Sequence, residues 1–135
     1  MSLHKGGCHC GTVRFEVDMP INAVAQRCNC SICSKSGFLH LIVPASCFQL
    51  LSGEGNLTAY TFGEGPAKHL FCKTCGIKSF YVPRSNPDGF SVNLLCLDDN
   101  LLDTVTIETF DGKNWEANAH TLAHLSKDKT RETIP

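Results

Sequence analysis

The chain has 135 residues, 42% of them hydrophobic and 19% charged, enough to bury one core and too few for two. Twelve Lys and Arg against thirteen Asp and Glu give a formal charge of -1, with no run of like charge, which excludes a polybasic nucleic-acid arm or an anionic-lipid anchor as the main role. Nine cysteines, an odd number, exclude complete intramolecular disulfide pairing. The opening residues 1–7 lack the apolar stretch of a secretory signal. Residues 12–17 alternate apolar and polar side chains, the period of a half-buried strand. Further strands are expected at 39–43, closed by Pro44, and at 48–51, 57–62, 69–71, 79–82, 90–94 and 104–110, with Gly53, Gly55, Gly63, Gly65 and Pro66 as turn residues. Seven or eight short strands of this kind predict a mainly β, antiparallel architecture. A short C-terminal helix is predicted over 115–125, capped by Asn114, with Trp115, Ala119, Leu122 and Leu125 on one face. Residues 1–125 then form a single domain and 126–135 a polar, frayed tail. The longest stretch without Asp, Glu, Lys or Arg, residues 36–53, is too short and too polar to span a membrane. A cytoplasmic or nuclear setting, where thiols stay reduced, is expected.

Seven of the nine cysteines fall in three groups. Cys8-His9-Cys10 is C-x-C, Cys28-Asn29-Cys30-Ser31-Ile32-Cys33 is C-x-C-x-x-C, and Cys72-Lys73-Thr74-Cys75 is C-x-x-C. In extended chain, residues i and i+2 project to one face, so C-x-C presents two thiolates to one ion. In C-x-x-C the chain must turn, and a following glycine such as Gly76 lets the backbone curl around the sulfurs. Gly11 and Gly37 are placed to serve similarly. Thiolate-rich sites select zinc or an iron–sulfur cluster, with zinc the better match for a small reduced domain. A structural zinc takes four closed ligands and a catalytic zinc keeps a position open. The seven cysteines divide accordingly into Cys8, Cys10, Cys72 and Cys75 around one zinc and Cys28, Cys30 and Cys33 around a second. Two alternatives stand beside this. Cys8 or His9 completes the Cys28 group and leaves Cys72 and Cys75 short, or the three-cysteine group closes with a distant ligand. A single C-x-x-C could also be a redox dithiol. Seven thiolates and two zinc ions bring the loaded protein to a charge of about -4, further from nucleic-acid binding.

These motifs, as Gly6-Gly7-Cys8-His9-Cys10-Gly11, Cys28-Asn29-Cys30-Ser31-Ile32-Cys33 and Phe71-Cys72-Lys73-Thr74-Cys75-Gly76, resemble the glutathione-dependent formaldehyde-activating enzyme family, which includes centromere protein V-like proteins. Pro44-Ala45-Ser46, Tyr60-Thr61-Phe62, residues 79–87 and Asp111-Gly112-Lys113-Asn114-Trp115-Glu116 are similar to the centromere protein V branch. The resemblance implies a zinc-stabilised fold of the β-tent type, with a structural zinc on Cys8, Cys10, Cys72 and Cys75 and a second on Cys28, Cys30 and Cys33. It also implies an S-(hydroxymethyl)glutathione synthase type of activity, a carbon–sulfur lyase reaction joining glutathione and formaldehyde. No basic arm precedes Gly6, so the functions such an arm carries in centromere protein V are not expected here.

The resulting expectation is a zinc-dependent enzyme that forms or cleaves a small thiol–aldehyde adduct at the Cys28/Cys30/Cys33 zinc. The rival from another class is a non-catalytic zinc-stabilised binding or scaffold module, and a third reading is a redox sensor that releases zinc on oxidation. Neither nucleic acid nor membrane is an expected partner. His40, seven residues past Cys33 on an apolar strand, is an acid/base candidate or a hydrogen-bonded structural histidine. Arg84 is a candidate for a substrate carboxylate through its bidentate fork, or a surface arginine. His9 should face away from the ligands, His69 reads as structural, Cys47 and Cys96 as buried hydrophobes or free thiols, and Trp115 as core.

Overall fold

The structure, a computed structural model, describes residues 2–20, 22–63 and 67–127. Its strands are β1 (Ser2–Gly7), β2 (Arg14–Met19), β3 (Val24–Cys28), β4 (Leu39–Pro44), β5 (Phe48–Ser52), β6 (Leu57–Tyr60), β7 (His69–Cys72), β8 (Phe80–Tyr81), β9 (Gly89–Asn93) and β10 (Thr106–Phe110), with helix α1 (Ser31–Ser36) after β3 and α2 (Trp115–Asn118) after β10. They form a three-stranded sheet in the order β1-β2-β5, a five-stranded sheet in the order β10-β3-β4-β9-β8, and the hairpin β6-β7. Pairing is antiparallel except between β3 and β10, which run parallel. The protein is thus mainly β with antiparallel sheets and a short C-terminal helix, as expected, and its one parallel pair closes the second sheet with a strand from far along the chain.

Alternation makes β2 what it is. Phe15, Val17 and Met19 are buried while Arg14, Glu16 and Asp18 are half-exposed. The strand starts two residues later than its pattern, because Thr12 and Val13 belong to the turn that carries Cys10, where the Val13 N–H reaches the Cys8 sulfur at 3.3 Å. The two larger sheets meet through four phenylalanines. Phe15 and Phe48 from the first sheet pack on Phe80 and Phe90 from the second, with ring centroids 4.5–6.1 Å apart, a geometry that adds to their area burial. Val13, Leu39, Leu41, Val43 and Val92 continue this core. A smaller cluster of Ile42, Phe110 and Leu122, with Trp115 and Leu125 against it, holds the C-terminal segment onto the opposite face of β4.

That segment departs from the expected helix. Only Trp115–Asn118 is α-helical, and Ala119–Ser126 continues as 3-10 turns. Asn114 makes no capping bond and donates instead to the Asp111 carboxylate at 2.7 Å. The Asn118 amide donates to the carbonyls of Asp111 and Asn114, and the Thr121 hydroxyl to that of Asn118. Such local side-chain bonds compete with helical ones. Ser126, at the head of the expected frayed tail, is buried and accepts a bond from the fully buried Asn86 amide at 2.9 Å, and Lys127 pairs with Asp88 at 3.2 Å. The rest of that tail, 128–135, lies outside the described residues. Among the described residues, no helix is long and apolar enough to cross a membrane.

Candidate functional site

The sulfurs of Cys8, Cys10, Cys72 and Cys75 all lie within 4.8 Å of one another. Cys8 and Cys10 come from the β1–β2 turn, and Cys72 and Cys75 from the turn after β7. Gly76 takes φ +77° there, a left-handed conformation that only glycine adopts without strain, and its N–H closes the turn on the Cys72 carbonyl at 2.7 Å. Gly11 and Gly37 share the left-handed conformation, and Gly37 ends α1 by bonding the Cys33 carbonyl. The Cys8–Cys10 and Cys10–Cys72 sulfur separations are both 3.6 Å. Four thiolates placed tetrahedrally at the usual zinc–sulfur distance sit about 3.8 Å apart, so the donor set and its spacing fit zinc. The sulfurs are also supported from outside. The Asn56 side-chain amide donates to Cys72 at 3.1 Å. The backbone N–H of Cys75 is the chief influence that holds the Cys72 thiol down, at about 6.

Cys28, Cys30 and Cys33 form the second cluster, again with sulfurs within 4.8 Å of one another. Cys28 ends β3, Cys30 sits at the cap of α1, and Cys33 lies inside it. Cys30, bonded by Cys28 and Cys33, is held far below the usual thiol range, while Cys33, pressed against Cys28 and Cys30 and buried, is pushed far above it. Three negative sulfurs cannot share this space without a cation. His40 leans on the cluster from β4, its Nε2 3.0 Å from the Cys33 sulfur. Its Nδ1 lies 2.9 Å from the Ser91 hydroxyl and 3.3 Å from that of Tyr81. With Cys33 as a thiolate, the ring donates from Nε2 and accepts those hydroxyls at Nδ1. Burial, with Lys78 nearby, holds His40 at about 3 and therefore neutral. Both of its nitrogens are thus engaged.

A cavity of about 500 Å³ opens over this cluster, lined by all three cysteines together with His40, His69, Tyr81, Phe62, Arg84 and Trp115. Arg84 lies at its edge, with its guanidinium 3.8 Å above the Trp115 ring and bonded to Glu116 at 2.9 Å. His9 is exposed and outside the four-cysteine cluster. Cys47 and Cys96 lie in neither cluster, and burial pushes the Cys96 thiol to about 11. No cysteine is disulfide-bonded.

Several site residues were not singled out from sequence. Asn29 ties the second cluster to the segment after β10. Its amide donates to Asp111 at 3.1 Å, its carbonyl oxygen accepts the Lys113 N–H at 2.9 Å, and its own N–H bonds the Phe110 carbonyl. Gly112 lies against the Cys28 sulfur so closely that a Cβ there would overlap the sulfur and press on Cys30. Gly112→Ala is expected to reduce bound metal from two ions per chain toward one, as elemental analysis would read, with the thermal transition still cooperative. The Asp111-Gly112 pair stood in the sequence as part of a resemblance, but nothing local tied it to a sulfur more than 80 residues away.

The fold and its two cysteine clusters define a mainly β domain that could hold two metal ions, one enclosed by four sulfurs and one beside a cavity. Residues 3–113 match the model of the glutathione-dependent formaldehyde-activating enzyme family, and the chain belongs to that family. A Halomonas elongata protein named for the same enzyme is 53% identical over 34 residues, which are 25% of this chain and 22% of that protein. A crystal structure of a Rhodobacter sphaeroides protein is 40% identical with a TM-score of 0.67, over 77% of this chain and 99% of that one.

Proposed function

We propose that this protein is a zinc-dependent enzyme of the carbon–sulfur lyase type, forming or cleaving the adduct of a small thiol and a small aldehyde. Glutathione and formaldehyde, the pair in the family's description, are its first candidate substrates. The carrying observation is the three-cysteine cluster at the wall of a cavity sized for a small ligand. Zinc, when bound there, supplies a place for the thiol as thiolate and, muted by three thiolates, some polarisation of the aldehyde oxygen. The chain does the rest. His40 orients Cys33 through a hydrogen bond to its sulfur and so acts as a positioning residue. Phe62 and Trp115 give the cavity apolar walls.

Arg84 offers its fork to a substrate carboxylate. Its present partner, Glu116, is 83% exposed and holds it weakly, so a bound carboxylate can take its place while the stacking on Trp115 persists. The ion held by Cys8, Cys10, Cys72 and Cys75 is structural. Residues 1–125 act as one catalytic domain, and the reduced, clustered cysteines suit a cytoplasmic setting.

The test is exchange spectroscopy by NMR on protein carrying two zinc ions per chain. Interconversion of glutathione, formaldehyde and their hydroxymethyl adduct is expected to accelerate on the order of 10²-fold or more. An unchanged rate, together with no heat of thiol binding by calorimetry, would overturn the reading in favour of a binding module.

A further inference from the structure

The turn that carries Cys72 and Cys75 does a second thing. His69 lies three residues before Cys72 and Lys78 three residues after Cys75. The Cys72 N–H bonds the Ile77 carbonyl at 3.0 Å and folds the chain back on itself. The fold-back brings the Lys78 ammonium 2.6 Å from Nδ1 of His69. Lys78 makes no ion pair with a carboxylate among the described residues. Its ammonium lies instead 3.9 Å from the Tyr81 ring centroid and 4.9 Å from that of Phe38, positions where aromatic faces attract a cation. The imidazole of His69 is stacked between Tyr81, at 4.9 Å and 21°, and Phe62, at 5.4 Å and 21°. It is 6% exposed and lines the cavity shared with Cys28, Cys30 and Cys33. Its Nε2 has no hydrogen-bond partner among the described residues.

We propose that Lys78 and His69 form a proton relay that delivers a proton to the aldehyde oxygen as the carbon–sulfur bond forms. This rests on the thiol–aldehyde reading above. An ammonium can only donate, so Nδ1 accepts and the ring proton resides on Nε2, the nitrogen left for a ligand in the cavity. In the forward direction the substrate thiol has released its proton to solvent. Its sulfur bonds the carbonyl carbon, and the carbon–oxygen π pair moves onto oxygen. That oxygen takes the Nε2 proton, while Nδ1 takes one from Lys78, which becomes a neutral amine and regains its proton from solvent. The product is a neutral hydroxymethyl-type thioether, and atoms and charge balance. Cleavage runs the same steps in reverse.

Two features suit the pair to this task. Burial and the neighbouring Lys78 hold His69 at about 4, so the ring is neutral and a donor at physiological pH. Burial also brings Lys78 down to about 8, closer to working pH than an ordinary lysine, where general acids are most effective. His40 cannot substitute, because Cys33, Ser91 and Tyr81 occupy its nitrogens. The cysteine turn therefore links the two centres physically. The same turn carries two members of the four-cysteine cluster and places His69 in the wall of the cavity beside the three-cysteine cluster.

The test combines two readouts on the full chain carrying two zinc ions. Long-range proton–nitrogen NMR reports which ring nitrogen of His69 is protonated. Exchange kinetics report kcat and KM for the thiol. The unsubstituted protein is expected to show the neutral Nε2–H form. Lys78→Met, close in shape and compatible with the aromatic surroundings, is expected to give a tautomer mixture and a kcat lower by on the order of 10²-fold, with KM for the thiol unchanged. His69→Gln, which leaves Lys78 in place, is expected to lower kcat similarly. A ring protonated on Nδ1 or on both nitrogens, or variants that keep full kcat or change only KM, would overturn the relay. If the unsubstituted protein accelerates no exchange, the thiol–aldehyde reading falls and takes the relay with it. If it does and both variants match it, the relay alone falls.

Discussion

Cys72→Ser is expected to unfold or aggregate the protein at ordinary temperature. Cys72 is fully buried, ends β7, and takes a hydrogen bond from Asn56 on its sulfur. Its cluster joins the β1–β2 turn to the turn after β7, segments separated by more than 60 residues of chain. A structural zinc held by such a set contributes about 10–16 kcal/mol of apparent binding energy at neutral pH, while a whole domain is stable by about 5–15 kcal/mol. Losing one of four ligands thus removes a quantity comparable to the margin of folding. The hydroxyl of serine does not restore it, because it is a harder and far less acidic donor than a thiolate. Prolonged chelation should have the same result as the substitution. Thermal melting with parallel zinc analysis decides the matter. A native transition retained after complete zinc removal would refute the structural role.

The cysteine clusters are legible in the sequence because metal-ligand spacing is a local property of the chain. C-x-C and C-x-x-C each place two sulfurs within reach of one ion whatever the rest of the fold does. The strands with clear alternation or β-branched runs, such as β2 and β4, were legible for the same reason. β1 was not, since Ser2, His4, Lys5 and two glycines carry little strand propensity, and its pairing with β2 supplies the order. β3 holds Gln26 and Arg27 in its middle and is a strand because β4 and β10 flank it. The parallel join of β10 to β3 is non-local and leaves no mark on either segment. The neighbours of the second cluster were hidden in the same way. Ser91, Tyr81 and Gly112 reach it only through sheet register and loop packing, whereas His40 lay close enough in sequence to be considered. The spacing of His69, Cys72, Cys75 and Lys78 was visible as letters, but nothing in it revealed that the turn folds back and brings its two ends together.

Cys30→Ser should behave quite differently from Cys72→Ser. The Cys28/Cys30/Cys33 cluster is contained in six consecutive residues, so it closes no long loop and joins no distant segments on its own. The contacts that hold its surroundings are independent of metal. Asn29 binds the segment after β10, Gly37 ends α1 on the Cys33 carbonyl, and Phe110, Ile42 and Leu122 pack beneath. Removal of a ligand from a set of three leaves only two sulfurs, too few to retain zinc against competing thiols. Zinc is therefore expected to fall from two ions per chain to one while the melting transition stays cooperative. Loss of the thiolate-binding position removes several kcal/mol from adduct formation, so exchange should slow by at least about 10²-fold. Thiol binding by calorimetry should vanish with it. The two substitutions thus separate fold from chemistry, one removing the native transition and the other removing only the second ion and the reaction. Thiol binding that persists in Cys30→Ser with a single ion bound would move the substrate site away from the three-cysteine cluster altogether.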